Sequence, residues 1–82
     1  MEFDPMRPKW QQIAEEITRR IERGEYPERF QLSEVRLAAE FGVNRDTMRK
    51  ATRALRESGL ITTVPNLGTF VRYSEGDGQG DA

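Results

Sequence analysis

Cysteine and histidine are both absent from this 82-residue chain. Their absence removes disulfide staples, thiolate zinc sites, thiol nucleophiles and histidine base chemistry together. No apolar run approaches the roughly 18 residues of a membrane span, and no signal-peptide pattern opens the chain. These gaps lead to the expectation of a cytoplasmic protein with no membrane contact and no cofactor. The length suits one domain, near the lower size at which a single core holds without staples.

A marked excess of charge of one sign is also missing, since the formal net charge is −1. The average conceals an uneven distribution. Five of the 14 acids lie at the ends, at Glu2, Asp4, Glu75, Asp77 and Asp81, whereas all 13 lysines and arginines lie between Arg7 and Arg72. Within residues 44–56, Arg45, Arg49, Lys50, Arg53 and Arg56 face one acid, Asp46. Positive charge is therefore concentrated on one stretch, which is the electrostatic footprint of a polyanion binder.

Apolar periodicity supplies the elements. Residues 1–7 read as a flexible N-terminal arm. Pro8 suits the first turn of a helix, and Trp10, Ile13, Ala14, Ile17 and Ile21 then form a narrow stripe of about 100°. That helix ends at Gly24. Pro27 breaks the following connection, and a short strand near residues 30–32 is weakly signalled. Ser33 is a good N-cap with Glu34 in the first turn of a second helix, which buries Leu37, Ala38 and Phe41. After Gly42 and Val43, Asn44 caps a third helix from Arg45 to about Ser58, with Met48, Ala51, Thr52 and Leu55 on its apolar face. Leu60–Val64 and Thr69–Tyr73 are β-prone around the turn formers of residues 65–68 and predict a hairpin. Ser74–Ala82 reads as a disordered acidic tail, with three glycines and three acids.

The order helix, helix, tight turn, helix, hairpin predicts a mainly α (α+β) winged helix-turn-helix: three helices plus a two- or three-stranded wing, over residues 8–73. Two helices crossing at a steep angle need a small residue at the crossing and an apolar plug at the turn. Ala38, Gly42 and Val43 fit that need. Arg45, Arg49, Arg53 and Arg56 share another arc of about 80° beside the apolar face. A plain three-helix bundle has no use for four arginines there. In a helix entering the major groove, Arg45 and Arg49 are placed to bond guanine edges. Asn44 and Thr47 suit phosphate or bases, and Lys50, Arg53 and Arg56 suit phosphate. The competing function is a winged helix whose basic face meets an acidic protein partner. An enzyme is not expected, because Asp46 and Glu57 read as cap and pair partners and no nucleophile–base set exists.

With these residues in view, the chain resembles the DNA-binding domain of the GntR family of bacterial regulators. The resemblance rests on Gln11–Ala14 with Ile21 and Gly24, on Ser33-Glu34 before Leu37-Ala38, and on Phe41–Arg45 with Thr47–Arg49, Ala51 and Leu55. It closes with Ser58–Ile61 and Gly68-Thr69-Phe70-Val71. It implies a winged helix that regulates transcription, as a repressor, by binding a pseudo-palindromic operator with two copies on the DNA. It adds Ser33, Arg36, Asn66, Gly68 and Thr69 to the DNA-contacting candidates. Val35 stands where the family often has an arginine, and Leu67 where the wing often has one. The family's C-terminal effector domain has no counterpart in these residues.

Overall fold

The computed structural model describes residues 1–72. The acidic tail expected over residues 74–82, and the end of the second wing strand at Tyr73, lie outside the described residues.

Three helices and three short strands follow one another as α1 (Lys9–Glu22), β1 (Gln31–Leu32), α2 (Glu34–Phe41), α3 (Arg45–Glu57), β2 (Ile61–Val64) and β3 (Gly68–Val71). The strands form one antiparallel sheet in the order β1-β3-β2. This is a winged helix-turn-helix with a three-stranded sheet.

Local chemistry sets the element ends. Pro8 lies just outside α1, not in its first turn: its ψ of 138° is extended, and its carbonyl accepts the first helical bond from the Gln12 amide. The Ser33 hydroxyl accepts from the Arg36 amide, and the Asn44 side-chain oxygen Oδ1 accepts from the Thr47 amide at 2.8 Å. Each fills one donor that a helix start would otherwise leave unpaired. Gly42 ends α2 with φ 70°, a left-handed turn that a side chain resists. β2 starts one residue later than expected, because the Leu60 amide is taken by the Leu55 carbonyl at 3.0 Å as α3 ends.

α1 lies chiefly against α3, and α3 also packs on α2 and β2. Ile13 and Ile17 of α1, Met48 and Leu55 of α3, and Val71 of β3 are the largest fully buried apolar side chains. Leu37, Ala38 and Phe41 close the core from α2, and Leu32 and Ile61 from the sheet. Each fully buried large side chain contributes about 1.5–3 kcal/mol of burial free energy before chain entropy is counted. The resulting frame holds α3 with Met48, Ala51, Thr52 and Leu55 inward.

Two polar contacts within this frame have no counterpart in the apolar pattern. Thr52 is fully buried, and its hydroxyl lies within hydrogen-bond reach of the Glu34 carboxylate and the Arg49 carbonyl, which fastens α3 to the start of α2. Gln12 is also buried, and it ties down residues expected to form a loose arm. Its side-chain Nε2 donates to the Asp4 and Arg7 carbonyls, and its Oε1 accepts from the Asp4 amide. The Phe3 ring lies half-buried nearby with the Lys9 ammonium 5.4 Å from its centre.

Candidate nucleic-acid interface

Cations on this molecule are either neutralised within the fold or left open. On α1 and its flanks, Arg7 pairs with Glu15, Arg19 with Glu16, Arg20 with Glu16 and Glu40, and Arg23 with Glu25. Arg20 also donates to the Tyr26 hydroxyl at 2.7 Å and lies over the Tyr26 and Phe41 rings. Its charge is thereby held in place, and its pKa is raised first by Glu40 and then by Tyr26 and Glu16 against the opposing effect of burial.

On α2 and α3 the opposite holds. Among the described residues, Arg36, Arg45, Lys50 and Arg53 take part in no ion pair. Arg49 reaches only Asp46, one turn back, at 3.4 Å. All five of these side chains are exposed. Glu57, one turn on from Arg53, is likewise not in an ion pair with it among the described residues. An exposed cation gains little from a surface pair in any case, so these groups are available to an external anion.

Other candidates carry structural duties alongside any external one. Ser33 and Asn44 are caps, as described, and Asn44 keeps its amide nitrogen without a partner among the described residues. Thr47 is half-buried at the start of α3. Thr69 is bonded through its hydroxyl to Thr63 across β3 and β2 at 3.0 Å. Arg56, read from its charge as a phosphate ligand, donates its Nε to the Thr63 hydroxyl at 3.1 Å and so fastens the wing to α3. Asn66 adopts φ 68° in the turn between β2 and β3, and Leu67 beside it is 66% exposed. Gly68 adopts φ 131°, which a side chain resists, and the Gln31 side chain lies over it, its nitrogen 2.5 Å from where a Cβ would stand. Gln31, Arg56 as a strut and the Glu34–Thr52 contact were not legible as interface features. Only Thr52, a polar residue on an apolar helix face, offered a local signal.

A tight helix-turn-helix, a wing fastened to its second helix and an unpaired cationic face together define a winged-helix DNA-binding domain. A model of the bacterial regulatory proteins of the gntR family matches residues 9–71. The chain belongs to the GntR family. It is 46% identical over 67 residues to an uncharacterized HTH-type transcriptional regulator of Rhizobium meliloti (strain 1021), covering 80% of this chain and 28% of that protein. It is 39% identical over 67 residues to the mannosyl-D-glycerate transport/metabolism system repressor MngR of Escherichia coli (strain K12), again covering 80% of this chain and 28% of the relative. The chain thus spans little more than a quarter of the length of these relatives. Among solved structures, it superposes on the AraR DNA-binding domain in complex with operator ORX1 with a TM-score of 0.78 and 37% identity, over 87% of this chain and 92% of that one. No helix among the described residues is long and apolar enough to cross a membrane.

Proposed function

We propose that this chain recognises a specific double-stranded operator with α3 in the major groove and regulates transcription as a repressor. Arg45 and Arg49 read base edges at the start of α3. Asn44 and Thr47 bond bases or phosphate beside them, and Ser33, Arg36, Lys50 and Arg53 hold the backbone. Asn66, Gly68 and Thr69 bring the wing against the duplex. Two copies load on a pseudo-palindromic site. The protein acts in the cytoplasm by binding alone, without catalysis.

The observation that carries this reading is the contrast between the two sets of cations. Arginines on α1 and its flanks are matched by glutamates, while Arg36, Arg45, Lys50 and Arg53 are unmatched among the described residues. Releasing counterions from phosphate is the gain that such unmatched groups make possible. The AraR domain's complex with its operator and the repressor role of MngR support the reading by similarity.

Selection of bound duplexes from a random pool tests it. The expected result is an enriched pseudo-palindrome that two copies of the 9.5 kDa chain occupy in an electrophoretic shift. Affinity should fall steeply with salt. A pool that stays random through repeated rounds, with binding indifferent to salt, overturns the proposal.

A further inference from the structure

We propose that Gln31 is a positioning residue for the wing, holding the tip around Leu67 in the attitude that the domain presents to DNA. The inference rests on the DNA-binding reading above and names a residue that contributes to it without touching the duplex.

Strand geometry places Gln31 for this task. It pairs with Phe70, and Leu32 beside it pairs with Thr69. Side chains alternate along a strand, so burial of Leu32 sends Gln31 to the outer face, where it is exposed. On that face its diagonal neighbour across the ladder is residue 68, two positions from Phe70. Gly68 has no side chain and adopts φ 131°, which clears a path. The Gln31 side chain lies over it and donates to the Leu67 carbonyl at 3.2 Å, a contact between residues 36 positions apart. A Cβ on residue 68 would be 3.5 Å from the Gln31 Cδ and closer still to its nitrogen.

The tip is thereby held from two sides. The Leu67 amide donates to the Val64 carbonyl at 3.0 Å, which closes the turn. Both peptide groups flanking the Leu67 side chain are engaged while the side chain itself remains exposed. On the far side, Arg56, Thr63 and Thr69 form a chain from α3 through β2 to β3. Stability does not account for the Gln31 bond. An exposed neutral hydrogen bond gains little over water, and fixing a glutamine side chain costs rotamer entropy of similar size. What the bond does fix is geometry, at the end of the wing that carries no cation of its own between Pro65 and Gly68. An apolar tip makes short-range contacts only, so its position matters more than that of a lysine acting through a long-range field.

The test uses a double-mutant cycle on duplexes selected by the wild-type protein from a random pool. Gln31→Met keeps length and removes the donor, and Leu67→Ala removes the tip. Gln31→Met is expected to weaken binding about 2- to 10-fold, the cost of ordering the freed Leu67 tip on the duplex. It should leave the melting temperature unchanged and speed amide exchange at Asn66–Gly68. The double variant should bind no worse than the weaker single variant, because both changes act through the same tip. Additive losses would mean that Gln31 contacts DNA directly and would overturn the proposal. Unchanged affinity for Gln31→Met would overturn it as well, as would a lowered melting temperature that accounts for the lost binding. Failure of the wild-type protein to enrich any duplex is a distinct result: it refutes the DNA-binding reading itself and this proposal with it.

Discussion

Arg20 and Arg45 carry the same guanidinium to different ends. Arg20 sits between Glu16 and Glu40 and over two aromatic rings, so its charge joins α1 to α2 and to the connection before β1. Arg45 stands exposed at the first position of α3, with no acid paired to it among the described residues. The planar fork of arginine matches guanine O6 and N7, and that match is lost on truncation. Arg45→Ala and Arg49→Ala should each cost about 1–3 kcal/mol on the selected operator and less on random duplex. Competitive shift assays with both DNAs measure the difference. If either variant keeps the full wild-type preference, that arginine does not read bases. Arg56 belongs with Arg20 in kind, since its Nε is committed to Thr63. Sequence periodicity placed Arg45, Arg49, Arg53 and Arg56 on one arc but had no means of sorting them. The sorting depends on Thr63 being brought beside Arg56 by the sheet.

The turn between α2 and α3 and the arm before α1 show how each element depends on one residue. Gly42 has φ 70° with nothing within 4 Å of where a Cβ would stand. Its requirement is therefore conformational and not steric. Gly42→Ala should lose about 1–2 kcal/mol in urea unfolding, and Gly42→Asn distinctly less, because asparagine tolerates the left-handed region. Equal losses for the two would point to a clash. For the arm, Gln12→Met should cost about 1–2 kcal/mol and release the Asp4 amide to rapid exchange, since three bonds to residues 4 and 7 go with it. A protected Asp4 amide in that variant would show that Phe3 and Lys9 hold the arm unaided. The helices were readable because their apolar stripes repeat within a few residues. The arm was not, because a buried glutamine in a helical stripe looks like any polar neighbour until its partners are seen. The same holds for β1: two residues carry no periodicity, and the pairing of Gln31 with Phe70 has no local signature.

As a whole, the molecule has no side chain that titrates ordinarily between about pH 5.5 and 7, because histidine is absent. Operator affinity and melting temperature should both be flat across that window, and a sloping titration of either would contradict the charge inventory. Stability should fall on the acid side. Burial pushes the Glu16 carboxyl up, but hydrogen bonds from Arg19 and Arg20 outweigh it, so the group titrates below its ordinary value of 4.5. Glu15 is lowered in the same direction by its bond from Arg7. A lowered folded-state pKa means the contribution is complete above the ordinary value and is lost as pH falls through the lowered one. Melting curves from pH 5.5 down to 2.5 should show the decline beginning below about pH 4.5. The strand order has a consequence for the moment at which the protein is made. β1 and β2 never pair with each other, and both wait for β3 in the middle of the sheet. On a ribosome, the helices can begin to gather as they emerge, while Gln31–Leu32 stays unpartnered until residues 68–71 have left the exit tunnel. At 5–20 residues per second, that interval lasts roughly two to eight seconds. A chain released early, after Val64, would forfeit the whole sheet at once and leave Leu32 and Ile61 uncovered, so that quality-control proteases would meet an incomplete product as an exposed core.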